Sequence, residues 1–535
     1  MFRFSKLVFI VLKGSLENQF VQYHNFESIN MPKLWHTSLY NFTLYHLFYC
    51  IQHILYNISG ILYFYSFTVN CLTVIFCKLK YTYIQAMSIS VKLKKGLDIR
   101  LKGRADRILN PEVGSHLYAI KPVDFPGLTP KLNVRIGDKV MAGSPLFHNK
   151  LIPEVVFSSP VSGTVVEIKR GDRRILLEVV VERQGEEYID FGKADPTSIS
   201  RDEIKEKLLK SGLWPVVRQR PYHIVASHTD NPKAIFISAF DSAPLAPDYN
   251  FIFDNSTDSH FMTGMRALKR LTDGSLHLCI NGKSEPSEIL SNAPAEIEKF
   301  SGPHPAGNVG IHIHHIDPVN KGETVWYVNP QDVIAIGRLF EEGKYNHDRI
   351  IALTGSEVIR PQYYKVRSGA SIHPIVKENI KPGNKRFISG NVLTGTKIEA
   401  DGFLGFYDSQ LTVIPEGDYY EFFGWMMPGI NKFSFYKTFA SKLFPKKEYS
   451  LDTNFHGGER AFVMTGKYEQ VVPMDIYPMQ LLKAILAEDI DLMENLGIYE
   501  IAEEDFALCE YICPSKIEIQ SIVRKGLDLM IREMN

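Results

Sequence analysis

The chain has 535 residues, of which 45% are hydrophobic and 22% are charged, and its formal net charge is zero. This composition excludes a disordered or collagen-like chain, and the length predicts several domains rather than one core. Zero net charge provides no overall field for nucleic acid, so no nucleic-acid partner is expected. Six cysteines in a chain of this length do not make a disulfide scaffold.

The N-terminal part of the chain differs in composition from the rest. Residues 1–86 contain 20 aromatic residues, two glycines, one alanine and no aspartate, and 34–77 contain no Asp, Glu, Lys or Arg. Residues 58–77 are long and apolar enough for a single membrane segment, and two lysines follow as a basic flank. We favour the other interpretation, in which Met87 is the true start and 1–86 is an N-terminal extension from a start assigned too far upstream, or a disordered segment.

Residues 87–195 are predicted to form a β-rich domain. Runs of β-branched residues flank Gly-Asp turns in 134–147 and in 159–182. The pattern G-D-x-V-x-x-G-x-x-L followed by S-P-V-S-G-x-V resembles the biotinyl/lipoyl hammerhead. Carrier domains of that kind hold their cofactor on a lysine at the hairpin tip, and Lys150 lies near that place. Its flanking residues and the spacing to Pro160 differ from carrier domains, so we expect a structural hammerhead.

Residues 196–355 alternate between helical and strand patterns. This order predicts a Rossmann-like α/β domain with a mainly parallel sheet. The predicted helices are 201–212, which Gly212 ends, 260–271, and 329–343, which opens on an asparagine cap; the predicted strands are 233–240, 275–282 and 347–355.

The last part of the chain changes pattern twice. Residues 356–428 lose the helices and predict a β-grasp, SLBB-like domain. Residues 429–535 are predicted to be mostly helical, with helices at 478–497 and 515–534. The predicted fold class is therefore α/β plus α+β, with four domains after the extension.

The segment after the first helix of the α/β domain is a candidate position for a phosphate-binding loop. Such a loop needs closely spaced glycines, because backbone N–H groups must approach the phosphate. Only Gly212 is present, and Leu, Trp and Pro follow it. Arg218 and Arg220 could pair with an anion, but we expect a solvated basic turn.

A second candidate site is a cluster of histidines. Four histidines and one aspartate occur within residues 301–320: His304, His312, His314, His315 and Asp317. We predict a tight loop that enters a buried strand. A strand would place His312 and His314 on one face, at a spacing compatible with a metal centre. The metal centre is the alternative, and no metal ligand is assigned.

Two cysteines form the third candidate site. Cys509 and Cys513, in CEYICPSK, match the end of the ferredoxin-type pattern C-x2-C-x2-C-x3-C-P, whose first two positions here hold Glu503 and Phe506. Two thiolates cannot hold a four-iron cluster, and the spacing is not that of a thioredoxin-like pair. We predict buried, inert cysteines on a helix. Since no Walker loop, nucleophile elbow or H-E-x-x-H motif occurs, no catalytic residue is assigned.

Seven motifs together carry a resemblance to a known family. They are KLKKGLDIRLKG (92–103), GLWPVVRQRPY (212–222), FDSAPLAPD (240–248), SGPHPAGNVGIHIHHIDPV (301–319), SGNVLTGT (389–396), NFHGGERAFVMTG (454–466) and CEYICPSK (509–516). Through them the chain from Met87 onward resembles the A subunit of the bacterial sodium-translocating NADH:quinone oxidoreductase, which is related to the C subunit of the Rnf complex. The extension 1–86 lies outside the family pattern.

The resemblance also implies two lost cofactor sites. Relatives such as the flavin-bearing subunit of respiratory complex I have a Gly-rich flavin loop and, in a C-terminal helical domain, cysteines that bind four-iron clusters. At the matching positions this chain has LWPVVRQRPY (213–222) and the sequence that includes Glu503 and Phe506. The implication is that side chains fill the flavin cradle and that 429–535 is a degenerate ferredoxin-type domain.

The function that the resemblance implies belongs to a complex. The family supplies a peripheral subunit, on the cytoplasmic face of the bacterial inner membrane, of a six-subunit translocase that oxidises NADH, reduces quinone and exports sodium. NADH, flavins and iron centres are implied to lie in the other five subunits. These five subunits are the implied partners of this chain, chiefly the quinone-binding membrane subunit. Quinone is a candidate ligand here, with no pocket residues assigned. The alternative is an assembly scaffold with no ligand of its own.

Overall fold

The computed structural model describes residues 89–111, 114–424 and 426–534, all within a compact unit that spans Ser88–Asn535. The predicted extension 1–86 and its membrane segment 58–77 lie outside the described residues. Within the described ranges, no helix combines the length and the apolarity needed to cross a bilayer.

A seven-stranded sheet forms the centre of the α/β part. Its strands lie in the order Ser90–Lys92, Glu296–Ser301, Ser275–Asn281, Ala234–Ala239, Val325–Val328, Arg218–Arg220 and Ile224–Val225. The first five strands are parallel to one another, Arg218–Arg220 runs antiparallel to them, and Ile224–Val225 pairs antiparallel with Arg218–Arg220. Both faces of the sheet are buried: Ile235 and Ile237 belong to one core cluster, and Phe236 between them belongs to another. This explains why the central strands are continuous apolar runs.

The predicted helices of the α/β part are confirmed. Helix Arg201–Ser211 begins with a capping box between Ser200 and Glu203 and ends at Gly212, whose φ is +75°. The other described helices before residue 400 are Tyr249–Asp254, Asp258–Arg270, Glu288–Ser291, Val309–Ile316, Pro330–Glu342 and His373–Val376.

The predicted strand in the histidine cluster is wrong, because Val309–Ile316 is a helix. The alternation of isoleucine and histidine is typical of a strand. The segment, however, connects Glu296–Ser301 to Val325–Val328, which lie on opposite sides of Ala234–Ala239 in one parallel sheet. Parallel strands need a crossover connection, usually helical, so the topology outweighs the local pattern.

A six-stranded mixed sheet occupies the region predicted as β-grasp. Its order is Thr396–Ile398, Lys385–Ser389, Gln410–Pro415, Asp348–Thr354, Tyr363–Arg367 and Leu109–Asn110. Asp348–Thr354 was expected in the parallel sheet but pairs here with its neighbours on both sides. The predicted boundary after residue 355 therefore falls too late, because the sequence shows a strand but not its partner.

The predicted hammerhead region forms two antiparallel sheets. One contains Leu117–Ile120, Leu176–Arg183, Gly163–Arg170 and Lys139–Val140, and the other contains Pro130–Leu132, Pro145–Asn149 and Val156–Ser158. Two short strands of the same region lie elsewhere: Ser90–Lys92 is an edge of the parallel sheet, and Leu109–Asn110 is an edge of the six-stranded sheet. The range 87–195 thus contributes to three parts of the fold.

The C-terminal part is less helical than predicted. Its helices are Pro478–Leu486, Ile490–Asn495, Ala507–Ile512 and Ile519–Met534. The single helix predicted over 478–497 is broken where Glu488 has a φ of +54° and Asp489 caps the next helix through the Leu492 N–H.

Short 3-10 turns also occur in the described chain. They are Pro122–Asp124, Asp172–Arg174, Trp214–Val216, Ala440–Leu443, Tyr468–Gln470, Ile498–Glu500 and Glu503–Phe506.

Candidate functional site

The turn after helix Arg201–Ser211 is filled by side chains. Leu213, Trp214 and Val217 are fully buried, and the Trp214 indole N–H donates to the carbonyl of Ala226 at 2.7 Å. A phosphate-binding loop needs backbone N–H groups that a phosphate can reach. The residues present at this turn therefore do not fit a flavin phosphate.

Arg218 lies between two aromatic rings. Its guanidinium carbon is 4.6 Å from the ring centroid of Tyr327 and 4.2 Å from that of Tyr407, and Nη2 donates to Asn329 Oδ1 at 3.2 Å. Burial disfavours the charge, but the tyrosines and nearby carboxylates raise the pKa of Arg218. Cation–π contacts strengthen when water is excluded, so Arg218 is a permanent cation at this position.

Arg220 is fully buried and forms two ion pairs. Nη2 lies 2.9 Å from Glu504 Oε1, and Nη1 lies 3.2 Å from Asp505 Oδ2. Asp505 also accepts the backbone N–H of Ala502 at 2.9 Å. The expectation of a solvated basic turn is therefore wrong for Arg220. Local sequence could not show this, because Asp505 stands 285 positions away.

Glu503 stands at the first position of the ferredoxin-type pattern. It also takes part in the contact between 213–222 and 503–513. Its Oε1 accepts from Arg524 Nη1 at 3.1 Å, and Arg524 donates to the carbonyl of Tyr222 at 3.0 Å. His223 Nδ1 lies 3.7 Å from Glu503 Oε2. Burial and three neighbouring arginines lower the pKa of His223 well below its ordinary value, so the imidazole is neutral. The segments 213–222 and 503–513 are thus joined to each other by ion pairs.

The other three positions of the ferredoxin-type pattern belong to the hydrophobic core. Phe506, Cys509 and Cys513 are buried, and the Tyr468 hydroxyl donates to Cys513 Sγ at 2.9 Å. Burial raises the pKa of Cys509 well above its ordinary value, which keeps the thiol protonated. The prediction of buried cysteines is confirmed: Cys509 lies in helix Ala507–Ile512, and Cys513 caps its end. These residues do not fit a four-iron cluster.

Two of the clustered histidines are buried structural groups. His304 Nδ1 lies 3.1 Å from Ser242 Oγ, and burial lowers the pKa of His304 to about 4. His312 Nε2 donates to the carbonyl of Ala306 at 2.9 Å, and burial lowers the pKa of His312 to about 3. Both imidazoles are neutral at physiological pH.

The remaining members of the cluster point to separate partners. His314 Nδ1 donates to Glu500 Oε2 at 2.6 Å, because its Nε2 accepts the N–H of Asp475. His315 Nδ1 donates to a backbone carbonyl of its own helix at 2.8 Å. Asp317 pairs with Lys233 at 2.8 Å. The five residues do not converge on one point, so the geometry does not favour a metal centre here.

Lys150 is exposed at the predicted hairpin position. It follows strand Pro145–Asn149, which pairs with Val156–Ser158, and its backbone N–H donates to the carbonyl of Thr129 at 2.7 Å. The structure therefore places Lys150 in the loop that joins two strands of a hairpin.

A polar cavity was missed by sequence reasoning. It has a volume of about 440 Å³ and opens at the carboxyl ends of strands Ala234–Ala239 and Ser275–Asn281, the end at which open α/β sheets bind ligands. Charged residues from separate stretches line it, including Asp98, Arg100, Arg104, Asp241 and Lys283. The motif FDSAPLAPD (240–248), which forms one wall, is the signal that could have located it.

Asp241 gives this cavity a testable pH dependence. Burial raises the pKa of Asp241 from an ordinary 3.8 to about 6. Between these values the folded chain binds more protons than the unfolded chain, so stability falls as pH rises through this window. The variant Asp241→Asn keeps an acceptor for the Ala243 N–H, and we expect its melting temperature to fall less steeply between pH 4 and pH 6. An unchanged slope would contradict this, and the exposed Asp491→Asn is the matched control.

Residues 419–464, which we call the aromatic segment, expose many large apolar side chains. Thirteen of the 28 exposed large hydrophobic residues in the described chain lie here, and Tyr420, Phe422, Met426 and Leu443 are 104%, 87%, 66% and 70% exposed. Exposed apolar side chains that cluster in one segment are typical of interaction sites. Sequence reasoning missed it by dividing the region between a β-grasp domain that ends at 428 and a helical domain that begins at 429. The signal was the run YYEFFGWMMPGINKFSFY (419–436), which has neither helical nor strand periodicity.

Family models match three consecutive parts of the chain. They describe the NqrA N-terminal barrel-sandwich hybrid domain at 91–184, the NqrA second alpha/beta domain at 199–345, and the NQRA C-terminal domain at 350–400. The coarse prediction of a mixed α/β protein with several domains is confirmed, and the β-rich N-terminal region is a barrel-sandwich.

Individual relatives agree with the family models. The A subunit of the Na(+)-translocating NADH-quinone reductase of Yersinia pseudotuberculosis is 41% identical over 447 residues, which are 83% of this chain and 100% of that protein. The proteins of the same name in Vibrio atlanticus and Haemophilus influenzae are 39% and 40% identical, with the same coverage. An NAD+-reducing NiFe-hydrogenase structure matches with 12% identity and a TM-score of 0.35 over 64% of each chain, a likeness too low to carry an argument.

The sequence identity extends along the whole length of these relatives, and three domain models of one family match the chain. Both findings lead to the same conclusion. The chain belongs to the NqrA family, the A subunits of Na(+)-translocating NADH-quinone reductases, which are multi-subunit oxidoreductases.

Proposed function

We propose that the chain is a peripheral subunit on the cytoplasmic face of the bacterial inner membrane. In this proposal it docks on a quinone-binding membrane subunit of the six-subunit complex and supports reduction of quinone to quinol, coupled to sodium export. The relatives' names describe NADH-quinone reductases that translocate sodium. The observation that carries the docking proposal is the aromatic segment.

The chemistry of the aromatic segment suits a partner at a membrane surface. Beside its exposed rings, residues 432–447 contain five lysines and no Asp or Glu. Aromatic rings and lysines together are typical of the level where a membrane subunit meets the aqueous phase. Protein interfaces are also enriched in Tyr, Phe and Met.

The aromatic segment is anchored to the rest of the chain. Tyr436 Oη donates to the carbonyl of Ile512 at 3.1 Å, and the backbone of Tyr449 exchanges hydrogen bonds with Arg100 and Lys102. Near its start, Gly417 N donates to Thr453 Oγ1 at 2.8 Å. Anchoring of this kind lowers the entropy lost on binding, which supports a preformed docking surface.

We assign NADH, flavins and iron centres to the five partner subunits. Two features support this assignment: Trp214 and its buried neighbours fill the flavin-loop position, and Glu503 and Phe506 occupy two of the four cluster positions. A finer division of the fold accompanies the proposal: a hammerhead in 87–195, a Rossmann-like domain from 196 up to residue 347, a β-grasp domain that begins with strand Asp348–Thr354 and ends at 428, and a degenerate ferredoxin-type domain in 429–535.

The docking proposal is tested in the assembled complex by removing exposed rings. We expect the triple variant Tyr420→Ser, Phe422→Ser and Leu443→Ser to abolish copurification with the membrane subunits and at least about 90% of quinone reductase activity, because the centre of the interface is lost. Its melting temperature should not change, since these side chains are exposed. The control Ile136→Ser with Leu151→Ser, at exposed positions outside the segment, should assemble normally. Normal assembly of the triple variant would refute the docking surface.

An assembly scaffold without a ligand is the second candidate, favoured by the closed flavin-loop position. A photoreactive quinone analogue separates the two functions. Labelling of this chain in the complex, reduced by excess quinone, supports the quinone role. Labelling confined to the membrane subunits supports the scaffold. Full sodium-coupled quinone reduction by a complex that lacks this chain would refute the quinone role.

A further inference from the structure

We propose that His277, Glu296 and Glu298 form a binding site for one zinc ion. The three residues lie on two neighbouring parallel strands of the seven-stranded sheet, toward the amino ends of those strands. The site is separate from the contact between Arg220 and Asp505 and from the aromatic segment.

The strand register places the three side chains on one face of the sheet. His277 pairs with Glu296, and Cys279 pairs with Glu298. Since side chains two positions apart point to the same side of a strand, Glu298 faces the same way as Glu296 and His277. The ligating atoms of the three residues lie within 4.8 Å of one another.

The distances match the spacing of ligands around a single ion. His277 Nδ1 lies 3.4 Å from Glu298 Oε1 and 3.7 Å from Glu296 Oε2. A charge-assisted N–H···O bond would be about 2.7–2.9 Å long, so neither distance is that of a hydrogen bond. Two ligands that are each about 2.0–2.1 Å from a tetrahedral zinc ion stand about 3.4 Å apart.

Among the residues that the structure describes, the imidazole nitrogen that faces the carboxylates has no other partner. His277 is 5% exposed, and Nδ1 has no hydrogen-bond partner among the described residues. The Phe236 ring stacks on the imidazole at a centroid distance of 4.6 Å, which holds its orientation. Buried polar atoms normally have a partner, so this nitrogen is oriented toward a position where an ion would supply one.

Each carboxylate is held by a hydrogen bond through its other oxygen. Ser275 Oγ donates to Glu296 Oε1 at 2.7 Å, and the backbone N–H of Ile89 donates to Glu298 Oε2 at 2.8 Å. The oxygens nearest His277 are the opposite ones, Glu296 Oε2 and Glu298 Oε1. Outer hydrogen bonds that orient metal ligands in this manner are a regular feature of metal sites.

Charge balance also favours a divalent cation. Glu298 is 3% exposed, and a buried carboxylate needs a cation beside it. A protonated His277 would supply one positive charge for two carboxylates, at distances longer than an ion-paired hydrogen bond. One imidazole nitrogen favours zinc over magnesium or calcium. Glu296 is exposed, which leaves room for water as a fourth ligand.

The bound ion would stabilise one edge of the sheet. It would join strand Ser275–Asn281 to Glu296–Ser301, and the bond from Ile89 to Glu298 would extend the connection to the edge strand Ser90–Lys92. The proposed role is structural, and it does not depend on the proposed docking function.

Zinc titration of the purified full chain, after treatment with a chelator, tests the site. We expect calorimetry to detect one zinc ion per chain, and cobalt to give the visible absorption of a tetrahedral complex. The variants Glu296→Gln and His277→Asn should weaken zinc binding by at least about 100-fold, and Ser275→Ala by about 10-fold. The exposed Glu288→Gln should bind as the unchanged chain does.

Glu296→Gln is the decisive variant, because its exposed side chain can change without loss of the fold. Zinc affinity that is the same in Glu296→Gln and in the unchanged chain would overturn the proposal. So would a chain that takes up no zinc at a one-to-one ratio.

Discussion

Replacing Arg220 with methionine is expected to lower the free energy of unfolding by about 3–5 kcal/mol, because a buried carboxylate loses its cation. Arg220 is fully buried between Glu504 and Asp505, and Asp505 is 1% exposed. Burial raises the pKa of Asp505 even beside the guanidinium. Removing Arg220 raises that pKa further, so the destabilisation should be larger at pH 8 than at pH 5.

Urea unfolding of the full chain measures this effect, and hydrogen exchange in residues 503–534 locates it. The control Arg201→Met breaks an ion pair with Asp273, whose side chain is 74% exposed, and should cost less than about 1 kcal/mol. The double variant Arg220→Met with Asp505→Leu should recover most of the loss, because the fully buried carboxylate is then gone as well and Glu504, whose side chain is 29% exposed, stays in contact with water. A cost below about 1 kcal/mol for Arg220→Met would contradict the prediction.

Replacing Gly337 with alanine is expected to destabilise the chain by about 3 kcal/mol or more through overpacking. A β carbon at Gly337 would lie 1.7 Å from the carbonyl oxygen of His260, and one at Gly264 would lie 2.0 Å from that of Val333. Helices Asp258–Arg270 and Pro330–Glu342 therefore cross with their backbones in contact. Helix propensity alone predicts the opposite, a gain of about 1 kcal/mol for alanine.

Whether Gly337→Ala lowers or raises the stability separates overpacking from helix propensity. Thermal unfolding followed by circular dichroism should show a lower melting temperature for Gly337→Ala, whereas a higher one would mean that local propensity dominates. Gly458→Ala is the control, because a β carbon there would meet no atom within 4 Å. For that variant we expect a gain of about 0.4–1 kcal/mol, from a less flexible unfolded chain.

The helices and strands with complete local signals were predicted correctly. Helix Arg201–Ser211 has its capping box at Ser200 and Glu203 and its terminal glycine at Gly212, so all of its signals lie within the helix or directly beside it. Ala234–Ala239 and Ser275–Asn281 are continuous apolar runs of the kind that both faces of a parallel sheet require. Buried cysteines at 509 and 513 were also predicted, because their number and spacing excluded a cluster.

Features that depend on distant partners were not predicted. The isoleucines and histidines of Val309–Ile316 alternate as in a strand, yet the crossover between parallel strands makes this segment a helix. Arg220 has the local context of a surface turn, and its carboxylates lie far along the chain. His277 and Glu296 lie in sequence contexts without a metal-binding motif, and only the strand register brings them together.

By itself, the sequence determined the family, three helices and three strands of the α/β part, and the lack of the closely spaced glycines of a phosphate loop and of the four cysteines of an iron–sulfur cluster. The tertiary structure alone decided which strands pair, which charges are buried together and which aromatic side chains are left exposed. The physical reason is the distance along the chain over which each kind of interaction acts. Caps, turns and periodicity depend on neighbours within a few residues, whereas pairing and burial depend on contacts between residues that are hundreds of positions apart, as in Arg220 and Asp505.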